Sequence, residues 1–261
     1  LLHLFLNDFS SQLAPMETVL PKGYERMTPD NRETLRYAAR VRGKSGFVFM
    51  VNFQDHDTAR VDQKDLCLRL KFADETLRIP SQGTFTLPKD ESLILPFNFQ
   101  MEDALLKYAT AQLLLKLDDR GTDHYFFFVP EGIQPEFVFD KTTVAGQYCY
   151  TPEAGLKSTF TVKTSGGKRF KVTTLTREQA AAILYRYAQK NGVDVSVGEN
   201  TNILSYRDAE QIHTYAVPAM QWACGAQIIH GADGRLTPGA KATRAQVAAI
   251  LHRFCENVLK P

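Results

Sequence analysis

The feature that most constrains the fold of this chain is an internal repeat near its C-terminal end. The segment Thr176–Arg186 (TREQAAAILYR) reappears as Thr243–Arg253 (TRAQVAAILHR), 67 residues further along the chain. Each copy has apolar residues at i, i+3, i+4 and i+7, the spacing of one buried helix face. These residues are Ala180, Ile183, Leu184 and Tyr187 in the first copy, and Val247, Ile250, Leu251 and Phe254 in the second. The repeat predicts helical units that bury these faces against each other.

Both copies begin with the same helix-start pattern. Thr176 and Thr243 precede the apolar run and have a glutamine three residues later. This is the spacing of a capping box, in which the hydroxyl accepts an early backbone N–H and the glutamine reaches back to the cap. Arg177 and Arg244 come next, although a cation at a helix N-terminus opposes the helix dipole. We therefore expect each arginine to serve either an anionic ligand or an internal salt bridge.

The chain before residue 173 follows the periodicity of β-strands. Gly46–Phe53 is a nearly continuous apolar run, typical of a strand buried on both faces. Leu66–Phe72 alternates apolar and polar residues, which predicts a half-buried strand. Thr159–Val172 has a Ser-Gly-Gly turn between two apolar runs, which predicts a hairpin that links the two halves. Further strands are predicted over 83–87, 92–99, 104–117, 124–129 and 136–140. The fold class is therefore α+β, with an N-terminal all-β, sandwich-like domain followed by a small α-helical repeat domain.

Composition and motif searches exclude several classes of function. The net charge of +2 provides no large electrostatic footprint for nucleic acid. No apolar run reaches the roughly 18 residues of a membrane span. The four cysteines, at positions 67, 149, 224 and 255, form no C-x-x-C pair, and they fit either small core residues or a disulfide pair. The histidines lack metal-ligand spacing, and no phosphate-binding, nucleophile-elbow or dinucleotide motif occurs, so we expect no metal and no cofactor.

The region around the second repeat carries a further set of motifs. It has an aromatic-x-Asp start (Tyr206, Asp208), the pair Trp222-Ala223, a turn-rich loop and a Thr-Arg-Ala helix start at Thr243. The loop contains Gly231, Asp233, Gly234 and Pro238. With these features, residues 173–258 resemble the S-layer homology (SLH) family, as one full repeat preceded by the closing helix of another. Two departures are that glutamine stands where the family often has glutamate, and that three repeats usually build the complete set of grooves.

The SLH resemblance implies a function at the bacterial cell surface. Such domains attach secreted proteins noncovalently to secondary cell-wall polysaccharides, which are anionic and often pyruvylated. By this resemblance, Arg177 and Arg244 would meet the sugar acid, Trp222 would pack against a pyranose face, and Asp208 would orient the groove. Trp222 fits a core position equally well. The resemblance therefore implies a wall polysaccharide as partner, with no membrane span and no nucleic acid.

The β-rich half carries a collinear series of segments from a second family. They are Leu2–Phe9 with Leu13–Met16, Ser45–Gln54, Leu95–Asn98, Tyr108–Gln112, Tyr125–Phe128 and Pro135–Phe137. In this order they resemble the region after the catalytic barrel in glycoside hydrolase family 35, the β-galactosidases. The resemblance covers about residues 1 to 140.

The galactosidase resemblance implies that the catalytic groups belong to another part of the protein. A retaining galactosidase needs two carboxylates about 5–5.5 Å apart. In the family both are glutamates on a (β/α)₈ barrel, which would lie upstream of Leu1. We therefore assign no catalytic residue to this chain. The pair Asp118-Asp119 fits a solvated turn, and Glu136 fits a strand edge. The aromatic run Phe126–Phe128 fits a strand that fills cores on both of its faces.

These observations combine into one interpretation with open alternatives. Residues 1–20 would be the tail of an upstream catalytic barrel, 21–140 a β-rich glycosidase accessory domain, 141–172 a hairpin linker and 173–261 an SLH-type anchor. The chain would be the C-terminal accessory and wall-anchoring part of a cell-surface β-galactosidase-like enzyme, and an enzymatic activity of the chain itself is left open. One alternative is a non-catalytic S-layer or cell-surface structural protein with a carbohydrate-associated β-domain. Others are an enzyme with an unrecognised site, and an artificial join of two genes.

Overall fold

A computed structural model describes residues 5–6, 8–28, 30–54, 61–89, 91–119, 121–129, 133–152, 158–190, 192–231, 233–239, 249–250 and 253–259. The chain divides into two compact units, Leu2–Thr174 and Leu175–Pro261. The first unit is built of β-strands and the second mainly of helices and turns. The α+β class predicted from the sequence, with a sandwich-like N-terminal part and a small helical C-terminal part, is therefore confirmed.

The larger sheet of the β unit has seven strands in the order β1-β2-β3-β8-β9-β12-β13. Neighbouring strands pair antiparallel throughout this sheet. The strands are β1 (Glu17–Val19), β2 (Arg36–Arg42), β3 (Ser45–Val51), β8 (Ser92–Met101), β9 (Ala104–Ala109), β12 (Phe137–Phe139) and β13 (Cys149–Tyr150).

The other strands form a four-stranded sheet and two small pairs. The four-stranded sheet has the order β10-β11-β15-β14, and the pairs are β4–β7 and β5–β6. The four-stranded sheet comprises β10 (Gln112–Asp119), β11 (Thr122–Phe128), β14 (Thr159–Lys163) and β15 (Arg169–Leu175). The pairs comprise β4 (Gln63–Leu66), β5 (Leu68–Lys71), β6 (Thr76–Ile79) and β7 (Phe85–Leu87).

Aromatic side chains join the two larger sheets into a sandwich. Phe127 of β11 meets Phe137 of β12 edge to face, with ring centroids 4.9 Å apart. Phe170 of β15 lies 6.1 Å from Phe139 of β12. Phe126, Phe127 and Phe128 are all buried, as the run of three aromatic residues predicted. The two inner faces therefore share one apolar core.

The N-terminal segment packs on this core. It contains a short helix, Ser10–Leu13, and its buried rings contact the seven-stranded sheet. Phe5 lies 5.1 Å from Phe47, and Phe9 lies 5.7 Å from Phe99, both in T-shaped contacts. The Arg40 guanidinium donates hydrogen bonds to the carbonyl oxygens of Leu13 and Met16. The segment that we expected to be the tail of an upstream barrel thus covers part of the β-unit core.

Two predicted strands are each split in the structure. The run 66–72 belongs to β4 and β5, which pair with different partners, and Asp65 before the break has a φ of 55°. The run 104–117 is divided between β9 and β10, which lie in different sheets. At that break, the Thr110 hydroxyl donates to Gln134 O at 2.6 Å and accepts Glu136 N–H at 2.7 Å. The prediction of strand structure is confirmed for both runs, whereas their continuity as single strands was wrong.

The predicted hairpin forms as β14 and β15, paired antiparallel from Thr159↔Thr173 to Lys163↔Arg169. We expected it to link the two halves of the chain. In the structure its strands belong to the four-stranded sheet, and Val162, Phe170 and Val172 are part of the β-unit core. The domain boundaries inferred from the sequence stay a prediction.

Among its described residues, the C-terminal unit contains the helices Arg177–Lys190 and Val217–Gly225. Pro218 lies in the first turn of the second helix, where its missing N–H is not needed. Three-residue 3₁₀ turns at Ser196–Gly198, Ala209–Gln211 and Thr214–Ala216 connect the elements, and a π turn covers Cys255–Leu259.

The buried face of the first helix differs in part from the predicted one. Ala181, Ala182 and Ala188 lie in the core of the unit, and Leu184 packs against it. Tyr187 was predicted to be buried, but it is 49 % exposed. Small alanine side chains allow close helix packing. The sequence could not single out these alanines, because they lie in an almost uniformly apolar run. In the second copy, Ile250 and Phe254 are buried as predicted, while Val247 and Leu251 lie outside the described residues.

Candidate functional site

The helix that begins with Thr-Arg-Glu-Gln has the predicted capping box. Thr176 N–H donates to Gln179 Oε1 at 2.9 Å, and Gln179 N–H donates to Thr176 Oγ1 at 3.3 Å. Each side chain thus satisfies a backbone donor that the first helical turn would otherwise leave unpaired. Because this reciprocal pair fixes the helix start, it also fixes the positions of Arg177 and Glu178 beside it.

Arg177 is buried at this helix start, with 7 % of its surface exposed. Its Nη2 donates to His230 O at 3.0 Å, whereas its buried Nε–H has no acceptor within the described parts of the chain. Burial lowers the pKa of the Arg177 guanidinium, and the nearby Arg253 lowers it further, against the opposing effects of Cys224 and Asp208. The structure therefore places a buried guanidinium with one unpaired N–H donor at this helix start.

Asp208 organises the loop that follows the second helix. Its carboxylate accepts the N–H groups of Leu236 at 2.8 Å and Thr237 at 2.7 Å, and it is 5 % exposed. Burial acts to raise the pKa of Asp208, but these two backbone donors outweigh it and hold the pKa below its usual value. Asp208 thus fixes the loop from within, because its oxygens face backbone donors of its own chain.

Trp222 lies in the core of the unit. Its indole is 1 % exposed and packs near Tyr185 and Phe254, with ring centroids 5.6 and 6.1 Å away. In this arrangement the indole offers no open face to a sugar ring. Arg244, the other predicted arginine, lies outside the described residues.

Sequence reasoning missed a polar cluster centred on Glu178. This carboxylate is fully buried, and its Oε1 accepts His213 Nδ1–H at 2.7 Å and the Tyr215 hydroxyl at 3.3 Å. Its Oε2 accepts His213 N–H at 3.1 Å. Burial and Glu178 together raise the pKa of Tyr215 to about 12. The sequence offered one signal for this cluster, which is a difference between the two copies of the repeat. The first copy has Glu178 where the second has Ala245.

The carboxylates considered as catalytic candidates in the β unit have structural partners. Asp118 Oδ1 accepts Gly121 N–H at 2.6 Å and so closes a turn. Glu136 Oε1 accepts Ser81 N–H at 3.1 Å and also bonds the Tyr108 hydroxyl. These bonds connect β9 and the residue before β12 to the segment after β6. Within the described ranges, no group of three or more His, Cys, Asp or Glu side chains could hold a metal ion.

A second polar cluster connects the two sheets of the sandwich. Lys116 Nζ lies 2.6 Å from Glu102 Oε1 and 3.0 Å from Asp123 Oδ1. The Tyr125 hydroxyl also donates to Glu102 Oε1, at 2.9 Å. Glu102 lies in the β8–β9 turn, whereas Lys116 and Tyr125 lie on β10 and β11, so the cluster connects a turn of the seven-stranded sheet to two strands of the four-stranded sheet. Its groups are satisfied by one another, which is typical of a structural network.

In the described part of the chain, no helix is both long enough and apolar enough to cross a bilayer.

The fold and motifs define a two-part chain, with a glycosidase accessory domain of β-strands and a surface-protein repeat of helices. The family model for β-galactosidase domain 2 matches residues 24–215, more than half of the chain, which therefore belongs to this family. The S-layer homology model matches residues 205–248. Both resemblances stated from the sequence are confirmed, and together they describe an accessory region of a cell-surface glycoside hydrolase. No curated protein matches the chain.

The extents of the two matches differ from those expected. The galactosidase match continues to residue 215, so it includes the Arg177–Lys190 helix that we took as the closing helix of an SLH repeat. The two matches overlap at residues 205–215, the segment that contains Asp208, His213 and Tyr215.

Proposed function

We propose that this chain is the C-terminal accessory and wall-anchoring part of a secreted bacterial β-galactosidase of the glycoside hydrolase family 35 type. The family matches support the two halves of this proposal. The β unit would pack against the catalytic barrel of the same polypeptide, which would hold both catalytic glutamates. The C-terminal unit would bind a secondary cell-wall polysaccharide noncovalently.

The observation that carries the anchoring proposal is the state of Arg177. A buried N–H without an acceptor costs roughly 1–3 kcal/mol, and a carboxylate from a wall sugar would supply the missing charge-assisted bond. The neighbouring Arg253 guanidinium adds positive charge that such an anion would neutralise. We propose that Arg177 and Arg244 meet the acidic group. Trp222 and Asp208 would then contribute by keeping the unit in shape, since both are buried in contacts within the chain.

The experiment is co-sedimentation of the full chain with purified Gram-positive cell-wall sacculi. We expect Arg177→Ala and Arg244→Ala each to weaken binding about tenfold or more, as loss of a charge-assisted bond predicts. Arg69→Ala removes an exposed arginine of the β unit and serves as the matched control for loss of charge. Equal binding by all three variants would contradict the role of the two arginines.

The galactosidase part of the proposal has a separate test. The gene should continue upstream into a (β/α)₈ barrel with two glutamates at strand ends, and the whole protein should hydrolyse an aryl β-galactoside. An upstream region without such a barrel would favour the non-catalytic surface protein. Hydrolysis by the chain alone would instead reveal an enzymatic site within these residues.

A further inference from the structure

The β14–β15 hairpin of the β unit carries a group of basic side chains, and we name it the basic hairpin. It contains Lys163, Lys168, Arg169 and Lys171, and no acidic residue occurs between Ser158 and Leu175. The first three are exposed and the fourth is half-buried. On the two strands, the residues that alternate with these cations lie in the β-unit core, namely Val162, Phe170 and Val172. The strand cations therefore share the outer face of the four-stranded sheet.

Two of these cations lie directly opposite each other. Lys163 on β14 is the cross-strand partner of Arg169 on β15. Like charges at paired positions destabilise a sheet, and neither side chain has an acidic partner among the residues that the structure describes. The neighbouring Lys168 does have one, since its Nζ lies 3.1 Å from Asp103 Oδ1. An external anion between the opposed cations would remove their repulsion.

Protection of a bare strand edge is the alternative reason for a lysine at this place. The backbone of β14 is already paired here with a neighbouring segment. Lys163 O accepts the Ala145 N–H at 2.9 Å, and the next residue, Thr164, forms an antiparallel bridge with Val144. Because this part of the edge is covered, edge protection does not account for the basic side chains.

The basic hairpin is held in a fixed shape by side-chain hydrogen bonds. The Thr173 hydroxyl lies 2.7 Å from His124 Nε2 on β11 and 2.6 Å from the Thr159 hydroxyl on β14. At the turn, Thr164 Oγ1 accepts the Lys168 N–H at 3.1 Å. A backbone that is already ordered loses little freedom when a ligand binds, so the surface is preorganised.

The spacing of the cations favours an extended ligand over a small anion. Arg169 and Lys171 are two residues apart on one strand, which places their Cα atoms about 7 Å apart. With Lys163 they form a row of charges. Lysine binds phosphate as a point charge and arginine binds it through paired N–H donors. The two aromatic residues of the hairpin, Phe160 and Phe170, pack in or against the core, so the outer face of its described residues has no ring on which nucleic-acid bases could stack.

We infer that the basic hairpin is a docking surface for a linear polymer that carries phosphate groups along its backbone. Charge complementarity supports this partner, because successive phosphates can each meet one cation of the row. The S-layer homology match indicates a cell-surface protein, so such a polymer would be met at the cell surface. The inference does not depend on the anchoring proposed for the C-terminal unit, since all of its residues lie in the β unit.

The test measures binding of end-labelled inorganic polyphosphate to the full chain by fluorescence anisotropy at low ionic strength. The double variant Lys163→Gln/Arg169→Gln should weaken binding about tenfold or more, because it removes the opposed cations. The matched control is Lys64→Gln/Lys71→Gln, which removes two exposed cations elsewhere in the β unit. This control should bind within about twofold of the unchanged chain.

A second variant separates loss of binding from loss of folding. In Lys163→Glu the new carboxylate would face Arg169, so the Tm followed by circular dichroism should not fall, whereas polyphosphate binding should weaken. Equal binding by the hairpin variants and the control would overturn the inference, as would no binding by the unchanged chain. Tighter binding of single-stranded DNA with the same number of phosphates would also overturn it, and would indicate a nucleic-acid partner. Anchoring is measured separately with sacculi, so either proposal can fail alone.

Discussion

Burial of single polar residues decides much of the chemistry of the C-terminal unit. Glu178 has no contact with solvent, and its donors lie 35 and 37 residues away along the chain. No local pattern could reveal this, because the sequence shows only a carboxylate in a first helical turn, a common place for an acid. Trp222 illustrates the reverse case. Its sequence position allowed either a core or a binding role, and only the packing of Tyr185 and Phe254 around it shows that it is buried.

The buried carboxylate gives a stability prediction. Glu178→Ala should lower the free energy of unfolding of the C-terminal unit by about 2 kcal/mol, because it leaves the His213 and Tyr215 donors without their acceptor. Urea unfolding followed by Trp222 fluorescence measures this, since Trp222 is the chain's one tryptophan and lies in the core of that unit. Glu199→Ala, at an exposed position, is the control. Equal midpoints for the two variants would show that Glu178 is not part of the packing that we describe.

At the scale of elements, local patterns predicted element type better than element ends. The capping box was predictable because its partners are three residues apart and interact within one turn. The strand 104–117 was not predictable as two strands, because its break depends on Thr110 bonding to residues 134 and 136. Sheet membership is set by such nonlocal contacts. The helix face was predicted only in part, since a run rich in alanine fits several faces.

The capping box gives a prediction for the first helix. Thr176→Ala should cost about 1 kcal/mol of stability in the C-terminal unit, because the Gln179 N–H then loses its acceptor at the helix start. Thr176→Ser keeps a hydroxyl and should have a much smaller effect. Thermal unfolding followed by Trp222 fluorescence compares the two variants. An alanine variant as stable as the serine variant would argue against a functional cap.

The cluster that joins the sheets gives a pH prediction for the β unit. Burial opposes ionisation of Glu102, but hydrogen bonds from Lys116 and Tyr125 outweigh it and lower its pKa from 4.5 to about 2. A carboxyl group with a lowered pKa stabilises the fold at pH values above its pKa in the unfolded state. This stability is lost as the pH falls through its pKa in the folded state. The β unit should therefore lose stability between pH 4.5 and about 2. Glu102→Gln should flatten this dependence in acid titrations followed by circular dichroism, and an unchanged slope would contradict the assignment.

At the scale of the whole molecule, the chain joins two families with different tasks. The order of the β-rich and helical halves could be predicted from periodicity, and both resemblances from the motifs that the sequence shares with the two families. The residue ranges of the two family matches could not be predicted, since the galactosidase match continues into the helical half and overlaps the SLH match. The family matches indicate the classes of partner, whereas the burial of polar groups such as Arg177 and Glu178 is visible only in the structure. An S-layer homology domain indicates a cell-surface or S-layer-associated protein.

The most direct test of wall anchoring is sedimentation of the unmodified chain with sacculi before and after chemical extraction of their secondary polysaccharide. We expect the chain to pellet with intact sacculi, to remain in solution after extraction, and to be released by added soluble polysaccharide. Binding that survives extraction would contradict recognition of that polymer. Failure to bind intact sacculi would contradict the anchoring function itself.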